Sequence, residues 1–137
     1  MDNKIHYPAV CFDENKMWVE TPDYPFTAKA IRQLQGRTYT LCDSRGEVYE
    51  VGSPIPEHPL TLADRLFNRW MRATYGVVKH VGHWTIDEFK ARVCEALDKN
   101  KDFWEAVQSV VLWKMEVNAA KSYLDIMELL HPREEQA

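Results

Sequence analysis

The spacing of apolar positions changes near the middle of the chain. From residue 7 to residue 51 apolar residues come in short runs broken by turn formers, and from Thr61 onward they recur every three or four positions, as a helix requires. Between the two regimes lies Ser53-Pro54-Ile55-Pro56-Glu57-His58-Pro59. Its prolines lack amide donors and hold their neighbours extended, so this stretch predicts a crossing that is neither strand nor helix.

In the first half, residues 7–12 and 16–20 flank Asp13-Glu14-Asn15 and predict a β-hairpin with Trp18 on its second strand. Residues 37–42 and 47–51 flank Asp43-Ser44-Arg45-Gly46, with Asp first and Gly last, as a type I turn closing into a bulge prefers. Setting Asp43 opposite Glu47 pairs Leu41 with Tyr49 and Tyr39 with Val51 on one face, and Thr40 with Glu50 on the other. Between the hairpins Thr27 caps a short helix to about residue 35. Ala28, Ile31 and Leu34 share its inner side, and Gly36 is its left-handed stop. The order over residues 6–52 is β-β-α-β-β, a mostly antiparallel sheet too small to stand without a covering layer.

The second half predicts that layer. Thr61 or the turn before it starts a helix to about residue 74, with Leu62, Leu66, Trp70 and Ala73 as an apolar stripe that Phe67 and Met71 widen. Arg65, Arg69 and Arg72 fall on its opposite, solvated face. Gly76 and Gly82 bracket residues 77–81, a short strand or a buried loop. Thr85 and Glu88 form a capping box for a helix ending near Asn100, lined by Ile86, Phe89, Val93 and Leu97. Asp102 and Glu105 repeat the device. Over residues 102–130 apolar residues occupy two adjacent stripes, which predicts a bend near Asn118 or a projecting end covered by a second copy. Pro132 and the polar tail, residues 132–137, close the fold.

Composition then narrows the class. Seventeen Lys/Arg against 21 Asp/Glu give a net charge of -4, which argues against nucleic acid and anionic membrane as partners. No stretch approaches the roughly 18 apolar residues of a membrane span, and Met1-Asp2-Asn3-Lys4 has no apolar leader. Cys11, Cys42 and Cys94 are odd in number without paired spacing, as reduced thiols of a cytoplasmic protein would be.

Candidate chemistry is sparse. His80-Val81-Gly82-His83 gives one ligand pair, where zinc needs three or four ligands, so neither metal nor cofactor is expected. The same histidines could act as acid and base in a nuclease working through a cyclic phosphate, with Arg72 or Lys79 beside the phosphorus and Tyr75 nearby. No phosphate loop, nucleophile elbow or His-Glu-x-x-His helix occurs, so catalytic residues are not assigned. Acidic residues Glu14, Glu20, Asp23, Glu47 and Glu50 surround the aromatics Trp18, Tyr24 and Tyr49, which suits docking on a basic protein.

The chain thus reads as one α+β domain over residues 1–137. A sheet layer (1–52) crosses at residues 53–60 to about three helices (61–131). The expected function is non-enzymatic protein binding to a basic partner. In size and charge alone the chain is similar to bacterial immunity or antitoxin proteins, which block a toxin domain. A small hydrolase or nuclease at His80 and His83, and a homo-oligomer through residues 102–130, are the alternatives.

Overall fold

The computed structural model describes residues 5–14, 16–20, 26–56, 58–71, 73–75 and 78–136. Along the chain the elements are β1 (Ala9–Asp13), β2 (Lys16–Glu20), β3 (Phe26–Thr27), α1 (Ala28–Leu34), β4 (Tyr39–Asp43), β5 (Glu47–Val51), β6 (Pro54–Pro56), α2 (Leu62–Phe67), β7 (Trp70–Met71), β8 (Ala73–Tyr75), β9 (Val78–His83), α3 (Ile86–Lys99), α4 (Lys101–Glu105), α5 (Val110–Ala119) and α6 (Tyr123–Gln136). The fold is α+β. Five antiparallel strands in the order β2-β1-β4-β5-β9 form the main sheet, and helices cover one face of it.

The two hairpins follow from their turns. In the first, Val10 faces Val19 and Cys11 faces Trp18. In the second, Tyr39 faces Val51, Thr40 faces Glu50 and Leu41 faces Tyr49, the register that the apolar pattern demands. Asp43 locks this turn. Its buried carboxylate accepts the main-chain N–H groups of His6, Arg45 and Glu47 at 3.1, 2.9 and 3.1 Å, which offsets the cost of burying a charge.

Strand alternation divides the core in two. Val10, Met17, Val19, Cys42 and Val48 point to the helices and meet Phe89, Val93 and Leu97 of α3 together with Trp104, Trp113, Ile126 and Leu130. Each fully buried Phe or Leu of that set contributes about 1.5–3 kcal/mol of burial. Ala9, Cys11, Tyr39, Leu41, Tyr49 and Val51 point the other way, with Trp18 and Leu34 packed against them. Three caps fall where the sequence predicts them, among them Thr61, whose side chain accepts from the Asp64 amide. Thr27 accepts from the Ala30 amide at 3.1 Å, and Thr85 and Glu88 exchange hydrogen bonds of 3.2 and 2.9 Å.

Several expectations are corrected. The helix expected over residues 61–74 stops at Phe67, where Asn68 takes the left-handed conformation at φ 47° and accepts from the Lys29 amide at 2.8 Å. Beyond it the chain turns to strand: β7 pairs with β3 and β8 pairs with β6. Leu62, Leu66, Phe67 and Trp70 are consequently exposed instead of forming a core stripe. The crossing is itself part strand, since Pro54 and Pro56 flank Ile55 in a pairing with residues 73–75.

Residues 78–83 resolve as β9, a fifth strand of the main sheet, and pair with β5 across the crossing. The long two-striped helix is three helices. Ser109 caps α5 by accepting from the Leu112 amide at 3.3 Å, and α5 breaks at Ala120, whose extended backbone (φ -66°, ψ 147°) realises the bend expected near Asn118. Asn100, not Asp102, occupies the cap position of α4, without a side-chain hydrogen bond. The final helix also runs past Pro132 to Gln136, losing one N–H···O bond at the proline.

Candidate functional site

The acid and aromatic residues expected to make a docking surface do not gather on one exposed face. Asp23 and Tyr24 lie outside the described residues. Tyr49 is buried in the sheet, because alternation along β5 turns it inward with Leu41 and Val51. Glu20 is buried too, and it accepts the Trp18 indole N–H at 2.8 Å. Trp18 is half-buried edge-on to Tyr39, at 5.7 Å between ring centres. Glu14 is exposed 3.8 Å from Arg37, and Glu50 is exposed on β5 opposite Thr40.

Glu47 has a different role. One of its carboxylate oxygens lies 3.2 Å from His80 Nε2 and the other 3.0 Å from His83 Nδ1. Residues three apart on a regular strand point to opposite faces, so this convergence needs an irregularity. The ladder supplies it: Val48 pairs with Gly82 and Tyr49 with His80, leaving Val81 as the extra residue of a β-bulge. His80 then packs edge-on to Tyr49 at 5.4 Å. The hydrogen bond from His83 comes first in holding the Glu47 carboxyl below its ordinary range, with the charges of His80 and His83 adding to it and burial opposing it. Lys79, proposed from sequence to stand beside these histidines, pairs instead with Glu50 and so alternates to the other face. Arg72 lies outside the described residues. Arg65 and Arg69 no longer share a helix face: Arg69 sits beyond the end of α2, 3.8 Å from Asp64 and over the Phe67 ring.

A second feature lies on the helix layer. Where α5 and α6 meet, Glu116, Ala119, Ala120, Asp125, Glu128 and Leu129 line an open cleft of about 410 Å³. Residues 116 and 119 lie on α5, with Ala120 just past its end, and 125, 128 and 129 lie at helical spacing on α6, so each helix turns one face into the cleft. The α5 rows continue outward from it through Met115 and Val111, and through Leu112, all exposed, with Leu124 exposed on α6. Among the described residues no base pairs with Glu116, Asp125 or Glu128; the neighbouring Lys114 turns away to Asp98 at 2.6 Å. Lys121, in the connecting turn, is an exposed cation nearby, and Lys90 donates to the Asn118 carbonyl at 2.9 Å. Sequence spacing implied the apolar stripe, but the cleft depends on the break at Ala120. The Ser109 cap, three residues before Leu112, was the available signal that the helix restarts.

The remaining chemistry is inert or unassembled. Burial raises the Cys42 thiol, with Asp43 adding to it, and burial likewise raises Cys94, so neither is an activated nucleophile. Among the described residues no three His, Cys, Asp or Glu side chains are placed to hold a metal ion together, and no helix is long and apolar enough to cross a membrane. The chain matches no protein-family model, no curated protein and no solved structure.

Proposed function

We propose that the chain is a cytoplasmic protein-binding protein that docks a basic, partly apolar protein segment in the cleft between α5 and α6, as an inhibitor of the immunity or antitoxin type would. One observation carries this reading: an apolar strip of Val111, Leu112 and Met115 runs into a cleft rimmed by three carboxylates that no described base neutralises. Apolar side chains of that size on one surface strip mark interaction sites more often than bare solvent faces. Lys and Arg on the partner would satisfy the rim and speed the encounter, and the apolar strip would hold the complex. Cys11, Cys42 and Cys94 form no disulfide, which supports a reducing compartment.

The same strip supports the homo-oligomer reading less well. A two-fold interface sets a patch against its own copy, so Glu116, Asp125 and Glu128 would face like charges around the axis. Light scattering over a concentration series separates the two: a monomer at high concentration is expected, and a dimer abolished by Met115→Asp would replace the docking reading. The docking reading itself is tested by recovering the partner from the native cell and cross-linking it. Cross-links to α5 and α6 on a basic partner segment are expected, and loss of binding in Leu112→Asp/Met115→Asp at unchanged melting temperature. Cross-links confined to other surfaces, or an acidic partner, would overturn it.

A further inference from the structure

The bulge at Val81 is what brings His80 and His83 together on Glu47, and the resulting group is arranged for proton transfer. We propose that Glu47, His80 and His83 form an acid-base site for ribonucleic acid, cleaving a phosphodiester through attack of the adjacent 2′-hydroxyl. A carboxylate only accepts hydrogen bonds, so the nitrogens facing it, His80 Nε2 and His83 Nδ1, each carry hydrogen. His80 Nδ1 and His83 Nε2 are left for a bound molecule, and both side chains are about half exposed. One carboxylate fixes the orientation of both rings, the positioning that general acid-base catalysis needs.

The cleavage needs paired but opposite roles from the two rings. Glu47 carries one negative charge and balances one imidazolium; the other ring works as the neutral base. The surrounding charged and titratable groups are Asp43 and Arg45 of the turn, Tyr49 against His80, and Glu88 at the start of α3, whose charge interacts with His83. Arg45, held 3.4 Å from Asp43 and near Tyr49, is a cation at this end of the sheet and suits the negative charge that builds on the phosphoryl oxygens.

The group supplies proton transfers and no covalent nucleophile, so the substrate must bring its own, as a ribose 2′-hydroxyl does. The neutral imidazole takes that hydroxyl's proton as the 2′-oxygen bonds to phosphorus. The P–O5′ bond breaks and the imidazolium protonates the departing 5′-oxygen. The products are a 2′,3′-cyclic phosphate and a 5′-hydroxyl, with no oxidant or co-reactant. The two rings share the sheet face of Tyr49, line neither the α5–α6 cleft nor the cleft between the sheet and α3, and are each about half exposed. This site is separate from the docking surface, and either can fail without the other.

The test uses the full-length protein and an oligodeoxynucleotide carrying a single ribonucleotide. Cleavage at that one linkage is expected, with a cyclic phosphate end, while an all-deoxy strand stays intact. His80→Ala, His83→Ala and Glu47→Gln should each slow it by about 100-fold or more with an unchanged melting temperature. If the alanine variants unfold, His80→Gln and His83→Gln replace them. No cleavage by the wild type above the buffer rate, or turnover that survives in the double histidine variant, would overturn the proposal.

Discussion

Trp113 donates its indole N–H to the main-chain carbonyl of Trp104 at 2.9 Å, inside the core. The two rings also meet edge-on at 5.3 Å, so α5 is pinned to α4 through one residue. That contact decides which stripe of α5 is buried. With Trp113, Val110 and Val117 turned inward, Val111, Leu112 and Met115 must face out.

The two tryptophans are predicted to respond differently to the same substitution. Trp113→Phe removes one buried hydrogen bond, at a net cost of about 0.5–1.5 kcal/mol, while the Trp104 carbonyl keeps the Val107 main-chain N–H at 3.3 Å. Trp104→Phe removes a buried indole N–H that has no hydrogen-bond partner among the described residues, so relief of that group offsets part of the lost packing. Urea unfolding should rank Trp113→Phe as the more destabilised variant by about 1 kcal/mol. An equal or reversed ranking would mean the hydrogen bond does not fix α5.

Gly46 makes a second demand on the turn. Its φ of 86° is open to glycine, and a Cβ there would sit 2.5 Å from the Tyr123 hydroxyl and 2.7 Å from the Trp84 carbonyl. Tyr123 donates to that carbonyl, tying α6 to the start of α3 over the turn. Gly46→Ala should therefore cost about 2 kcal/mol or more, from backbone strain and the displaced tyrosine together. A melting temperature within a degree of wild type would show that the turn can relax.

The sequence made some of this architecture legible and concealed the rest for definite reasons. The register of Leu41 against Tyr49 and the capping box of Thr85 and Glu88 rest on local signals, and both stand in the structure. Leu62, Leu66 and Trp70 misled because helical spacing does not say whether a stripe is covered; Asn68 ended the helix and left them exposed. The link from Glu47 to His80 and His83 spans more than thirty residues and hangs on one bulge, which no spacing rule reveals. Tyr49 and Glu20 misled as docking residues because strand alternation, more than residue type, decided their burial.

Acid sensitivity follows from Glu88. Its carboxylate takes the Thr85 amide hydrogen bond, which comes first in lowering its pKa below the ordinary 4.5. A lowered folded value means the stabilisation is whole above about pH 4.5 and fades as pH falls through the folded value. The melting-temperature gap between wild type and Glu88→Gln should thus be constant from neutral pH to about pH 5 and close below 4.5. A gap that widened in acid would reverse the sign and refute this cause.

Cutting within residues 53–60 should leave neither half folded. Strand β9 from the second half completes the sheet beside β5, and α3 and α6 supply the cover for β1 and β2. A four-stranded remnant would expose Val10, Val19 and Val48 to water, and the helices would lose the surface they pack on. Separate fragments should give poorly dispersed amide spectra and no cooperative melt. A cooperative transition in either fragment would show two domains.

The docking account turns on the carboxylates at the rim of the α5–α6 cleft. Its most direct test is the association rate with the recovered partner, measured against ionic strength for the wild type and for Glu116→Lys/Glu128→Lys. The wild-type rate should fall steeply as salt rises, and the variant should associate about tenfold slower with a flattened salt dependence and an unchanged melting temperature. Identical rates and salt slopes in the two proteins would contradict the account.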